Sequence, residues 1–70
     1  MRIISSVSGT VNRLYVKEGQ NVALNSIVAI IESMKMEIPI ESNSVGKVIQ
    51  LKVKIGEFVN EGDEIIELEK

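Results

Sequence analysis

Two stretches, "SGTVNRLYVKEGQNVALNSIVAIIE" (Ser8 to Glu32) and "VGKVIQLKVKIGEFVNEGDEIIELE" (Val45 to Glu69), are two versions of one design. They align without a gap at an offset of 37 positions, which sets Gly9 on Gly46. Val11, Leu14 and Val16 then fall on Val48, Leu51 and Val53. Lys17, Gly19, Val22 and Glu32 fall on Lys54, Gly56, Val59 and Glu69. Two half-domains, residues 8–32 and 45–69, are therefore expected, related by an approximate two-fold axis.

Each half reads as strand, turn, short strand, turn, strand. In the second half Ile49, Leu51, Val53 and Ile55 alternate with Gln50, Lys52 and Lys54, the pattern of a half-buried strand. Val48 breaks that alternation, and Val11 breaks it relative to Leu14 and Val16, so one bend or bulge is expected in each half. Gly19 and Gly56 mark the first turns, and all five glycines read as turn or bulge residues. "ALNS" (Ala23 to Ser26) and "NEGD" (Asn60 to Asp63) mark the second turns. There Asn25 answers Gly62, as the non-glycine residue that best tolerates left-handed backbone. "MRIISSV" adds a first strand and "MEIPIES" (Met36 to Ser42) a strand after the middle of the chain. Pro39 within that strand points to a sheet edge. No helical period is visible. The pattern predicts an all-β chain of about eight short strands in two sheets, a small flattened barrel or sandwich.

The repeat also places the ends. Lys35, shifted by the repeat length, lands just past either terminus. The counterpart of the central hairpin is then the meeting point of the termini, with Met1 beside Lys70 at the end remote from Lys35.

Composition narrows the class. Seventy residues make one small domain, which buries only about 60% of its unfolded surface. There is no cysteine and no histidine, so neither disulfides nor the usual zinc sets are available. Tyr15 and Phe58 are the only aromatics, whereas Ile and Val supply 20 of the 70 residues. The core is therefore aliphatic, and β-branched residues favour strands. A net charge of −2 argues against nucleic acid, which selects a basic face. No apolar run approaches a membrane span, and "MRIISSVSG" is no signal peptide, so a cytoplasmic protein is expected.

The remaining stretch is "ESMKME" (Glu32 to Glu37). The apolar run "IVAII" (Ile27 to Ile31) leads in, so residues 33–36 must form a tight hairpin tip. Such turns favour Asn-Gly or Gly-X, because their central residues need positive φ. Here a lysine sits between two methionines.

These residues, with Gly46 eleven positions after Lys35 and the "VKEGQNV" stretch (Val16 to Val22), resemble a biotinyl domain of the biotin/lipoyl-attachment family over nearly the whole chain. The resemblance implies a flattened barrel of two four-stranded antiparallel sheets. It implies covalent biotin on Lys35, with Met34 and Met36 as recognition flanks, and Glu32, Ser33 and Glu37 beside them. It implies a non-catalytic carrier that shuttles carboxyl groups, with three partners: biotin protein ligase, biotin carboxylase and a carboxyltransferase. Such a chain is expected to be a monomer on its own. Several positions depart from the pattern. Ser33 replaces an alanine, Ser8 and Asn43 replace prolines, and Asn25 stands where glycine is usual. The loop from Tyr15 to Val22 carries no inserted thumb. "ES" before the motif is also similar to lipoyl domains, so lipoate is the alternative cofactor.

The residues themselves agree with a carrier. A lysine that must visit a ligase, a donor site and an acceptor site belongs at an exposed tip on a rigid scaffold. Methionines are flexible and polarizable, suited to several pockets. Each feature also has a plainer reading. An exposed lysine is usually a solubilising charge, methionine usually packs in a core, and Glu32, Glu37 and Glu41 are most simply a solvated face. A docking patch for a ligase or carboxylase is the sharper reading of those acids. Two other function classes remain. A freestanding enzyme is poorly supported, without histidine, cysteine or a metal set. An unmodified β-barrel binding module would tolerate any polar residue at position 35.

Overall fold

The computed structural model of the chain describes residues 1–69. It contains eight strands: β1 (Arg2–Ile4), β2 (Gly9–Leu14), β3 (Asn21–Val22), β4 (Ile27–Ser33), β5 (Met36–Glu41), β6 (Gly46–Leu51), β7 (Phe58–Val59) and β8 (Glu64–Glu69). They form two four-stranded sheets with the orders β1-β8-β6-β3 and β5-β4-β2-β7, and every pairing is antiparallel. The body is 33 Å long and 18–19 Å across.

The pseudo-two-fold repeat is written into the core. Its twelve buried apolar residues form six pairs 37 positions apart: Ile3/Ile40, Val11/Val48, Val22/Val59, Val28/Ile65, Ala29/Ile66 and Ile31/Leu68. All are aliphatic, as the composition demands. Each fully buried Val, Leu or Ile contributes roughly 1.5–3 kcal/mol of transfer free energy against the ordering cost of its segment. Backbone hydrogen bonds repeat with the same period. Gly19 N–H donates to Val48 and Gly56 N–H to Val11; Asn25 N–H donates to Ser42 and Gly62 N–H to Ser5, all at 2.8 Å. The buried hydroxyls of Ser5 and Ser42 donate to the carbonyls of Val7 and Ser44, which leaves neither orphaned.

The register slips between Val11 and Arg13 and between Val48 and Gln50, so each half carries the expected bulge. The bulge also corrects the alternation read from the second half. Ile49 is the extra residue and turns outward, and the strand ends at Leu51, so Ile55 is exposed in the following turn. Only Leu51 and Val53 pack against the core.

Asn25 has φ 68°, next to φ 93° at Gly62. Asn25→Gly is expected to raise stability by up to about 1 kcal/mol, because the steric cost of positive φ vanishes while some unfolded-state entropy is added. Thermal unfolding checks this, and a lower Tm would mean that the Asn side chain is needed. Gly9 and Gly46, in contrast, are not turn residues. They open β2 and β6, and a Cβ on Gly9 would overlap the carbonyl oxygen of Glu32 and lie 2.9 Å from Ile31 Cγ2. On Gly46 it would lie 2.7 Å from the Glu69 carbonyl oxygen. Gly9→Ala is expected to cost about 1–3 kcal/mol by overpacking, and more than Gly46→Ala, in a comparison of urea midpoints.

β5 lies at a sheet edge. A two-residue turn makes Ser33 and Met36 a hydrogen-bonded pair, so bonded pairs recur at Ile31/Ile38 and Ala29/Ile40. Pro39, opposite Ile30, occupies a non-bonded position, where the missing N–H would have faced solvent. The termini follow the same ladder. Met1 and Leu68 exchange hydrogen bonds at 2.9 and 2.6 Å, as the counterpart of Ile38 and Ile31. From Met1 the chain runs along β1 and through Ser5–Ser8 into β2 at Gly9, and Thr10 then lies opposite Glu32 at the base of the central turn. Met1 is therefore at the end remote from that turn. Lys70, expected beside it, lies outside the described residues.

Candidate functional site

β4 and β5 are joined by Met34 and Lys35 alone, with Ser33 paired to Met36. Both turn residues have positive φ, 53° at Met34 and 65° at Lys35, the signature of a type I′ turn. Neither residue favours that region. A left-handed residue with a Cβ costs roughly 1–2 kcal/mol, and Asn-Gly would serve the backbone better. The side chains at this tip are thus held against local backbone preference.

The surroundings are open. Met34 is 90% exposed and Met36 59%, so neither is a core residue. Along β5 the methionine face dives inward through half-buried Ile38 to buried Ile40. Lys35 is exposed and joins none of the ion pairs among the described residues, which are Arg2–Glu64 and Lys52–Glu67. Glu32 and Glu37 are exposed and directly opposite each other, a like-charge pair of the kind that destabilises a sheet. Ser33 is half-buried at the base of the turn. All five residues expected to flank Lys35 are therefore gathered at one end of one sheet.

Asn12 escaped the sequence reading. It is the bulge residue of β2, and its Nδ2 donates to Glu37 Oε2 at 3.1 Å. That bond fixes the carboxylate two residues from Lys35. The available signal was the mismatch with its counterpart: a polar residue at one bulge, Ile49 at the other.

The sequence profile of the biotin/lipoyl family, described as "Biotin-requiring enzyme", matches residues 1–68. The chain belongs to this family. It is 44% identical over 68 residues to the Bacillus subtilis biotin/lipoyl attachment protein, covering 97% of this chain and 93% of that one. It is 31% identical to the biotinylated protein TB7.3 homolog of Mycobacterium leprae, over 84% of this chain and 83% of that one. It is 39% identical to the dihydrolipoyllysine-residue acetyltransferase component of the Pseudomonas aeruginosa pyruvate dehydrogenase complex, but spans only 12% of that protein. A crystal structure of Kluyveromyces lactis urea carboxylase superposes with a TM-score of 0.89 at 28% identity, covering 97% of this chain and 6% of that one. Domains of this family are non-catalytic and carry biotin or lipoate covalently. The site fits such a group. One primary amine stands at the apex of a two-residue turn, exposed and in none of the ion pairs among the described residues, where an amide to an acyl chain breaks none of them.

Proposed function

We propose that Lys35 is the attachment residue, that biotin is its principal cofactor, and that the chain carries carboxyl groups between a biotin carboxylase and a carboxyltransferase. The observation that carries this reading is the Met34-Lys35-Met36 turn, with the amine at the apex and uncharged thioethers on both sides. A biotin protein ligase would supply the activated acyl group. The Lys35 Nζ lone pair attacks its carbonyl carbon, the bond to the activating group breaks, and the amine proton leaves. When bound, biotin supplies the ureido ring that takes up carboxylate. The chain's own residues hold and present that ring. The hairpin sets the attachment atom clear of the barrel, the lysine stem gives reach, and the methionines offer apolar contact to each partner in turn. Carboxylase chains among the relatives support this use, such as the propionyl-CoA carboxylase alpha chain of Mus musculus, 37% identical over 67 residues.

Lipoate is the second reading. It is favoured by the 44% identical Bacillus subtilis protein, whose name covers both cofactors, and by the Pseudomonas aeruginosa acetyltransferase component. Intact mass after incubation with ATP and either biotin protein ligase and biotin, or lipoate ligase and lipoate, tests both readings. The expected result is one biotinyl group per chain at high yield. A larger yield of lipoyl product would reverse the order of the two cofactors. A chain that accepts neither group is no carrier.

A further inference from the structure

The two-fold repeat supplies an internal control. Where paired positions differ in chemistry, the fold accepts either residue and something else has chosen. On the outer face of the sheet β1-β8-β6-β3 the charges neutralise one another. Arg2 pairs with Glu64 at 4.0 Å and Lys52 with Glu67 at 3.4 Å, while Lys47 lies directly opposite Glu69. The counterparts of these ion pairs on the lysine-bearing sheet are apolar, whereas Ile4 and Ile49, exposed on the first sheet, answer to Glu41 and Asn12. Pro39 and Ile27 replace the first pair, and Tyr15 and Ile30 the second. Thr10 replaces Lys47, which leaves Glu32 without the facing cation that Glu69 has. Phe58 replaces Asn21.

The result is a mainly apolar outer face on β5-β4-β2-β7, with exposed Arg13 as its cation, directly opposite Ile30. Phe58 is 66% exposed, Tyr15 55% and Ile27 46%, with Pro39 exposed and Ile30 half-buried. One edge of this face is acidic. Glu37, Glu32, Thr10 and Phe58 form a single cross-strand row, one residue from the Ser33–Met36 pair that closes the turn. Exposed apolar surface bordered by polar residues marks an interaction site.

We infer that this face is where the ligase that acylates Lys35 docks, through a surface with an apolar centre and a basic rim. The inference rests on the carrier reading above. Two features select this occupant. The face runs continuously into the turn bearing the acceptor amine, so a protein holding that amine in a pocket covers it. The acids at its edge are complementary to cations on the partner.

The repeat also supplies variants that the fold tolerates. Tyr15→Lys combined with Ile30→Glu installs the ion pair already present at Lys52 and Glu67. Phe58→Asn installs the residue present at position 21. Both are expected to unfold at the wild-type temperature. With biotin protein ligase, biotin and ATP, their kcat/KM for biotinylation should fall by about tenfold, the scale of losing a buried apolar anchor. Lys52→Tyr combined with Glu67→Ile, on the opposite sheet, should react at the wild-type rate. The wild-type rate should also fall with added salt, and less steeply in Thr10→Lys. Wild-type rates in both face variants would overturn the docking assignment and leave the carrier reading standing. Failure of the unmodified parent to accept biotin would overturn both. A parent that is dimeric by light scattering, and monomeric in the face variants, would show that a second copy covers this face instead.

Discussion

Lys35→Arg is expected to fold with the parent's thermal stability and to carry no covalent group after incubation with either ligase. The stability half follows from exposure. Lys35 joins no ion pair among the described residues, and its contribution is that of a surface charge, within about 0.5 kcal/mol. Arginine keeps that charge. It also has a Cβ, so the cost of φ 65° at this position is unchanged. The chemical half follows from the guanidinium, which stays protonated and delocalised and has no lone pair to offer at neutral pH. The expected mass spectrum is a single unmodified species, against a singly modified parent. A biotinylated Lys35→Arg chain would move the acceptor to one of the other lysines, such as Lys17, Lys47, Lys52 or Lys54, and the tip would lose its assigned role.

Much of the fold was legible because the chain states its design twice. A single copy of "SIVAIIE" is an ambiguous apolar run, but "DEIIELE" at the matching place, with a turn before each, makes both strands. The agreement of Asn25 with Gly62 predicted a positive φ at a residue with a side chain. Pro39 announced an edge through its missing N–H. Ile49 was misjudged because period-two alternation assumes an unbroken strand, and the bulge turns it outward. Ile55 was misjudged because the strand ends at Leu51 and Ile55 lies in the turn that follows. Gly9 and Gly46 were misjudged for another reason. A glycine required by close approach across a sheet looks the same in sequence as one required by a turn, and only the packing of Glu32 and Glu69 against them separates the two.

The site divides in the same way. The tip and its flanks are contiguous in sequence, so residues 33–36 could be placed at once. The Asn12–Glu37 bond joins residues far apart in the chain, across two strands and through a bulge. Likewise, the apolar outer face gathers positions 15, 27, 30, 39 and 58 from four separate segments of the chain. Their common face depends on register, which the repeat suggests and only the sheet pairings fix.

Met34→Asp is expected to keep the fold and to exchange one cofactor for the other. Met34 is 90% exposed with φ 53°. An aspartate there is solvated rather than buried, and Asp tolerates left-handed backbone better than methionine does. The Tm should therefore be unchanged or slightly higher. The site changes far more. Glu32 and Glu37 already face each other beside the turn, and a third carboxylate next to Lys35 makes this end strongly acidic. A ligase pocket shaped for a thioether would have to desolvate that charge without a partner, at a cost of several kcal/mol. Biotinylation should drop by at least about a hundredfold. A pocket that expects an acid before the lysine gains its missing contact, so lipoylation should rise. Met36→Ala should push the same way more weakly, because Met36 is 59% exposed against 90% for Met34 and the change adds no charge. The decisive comparison is the ratio of biotinyl to lipoyl product by intact mass, set beside thermal unfolding of each variant. An unfolded Met34→Asp would make the methionine structural, despite its exposure. A folded Met34→Asp biotinylated at the parental rate would mean that the ligase does not read the flank. Selection between the cofactors would then rest on the sheet face behind the turn, where the Tyr15, Ile30 and Phe58 variants measure it directly.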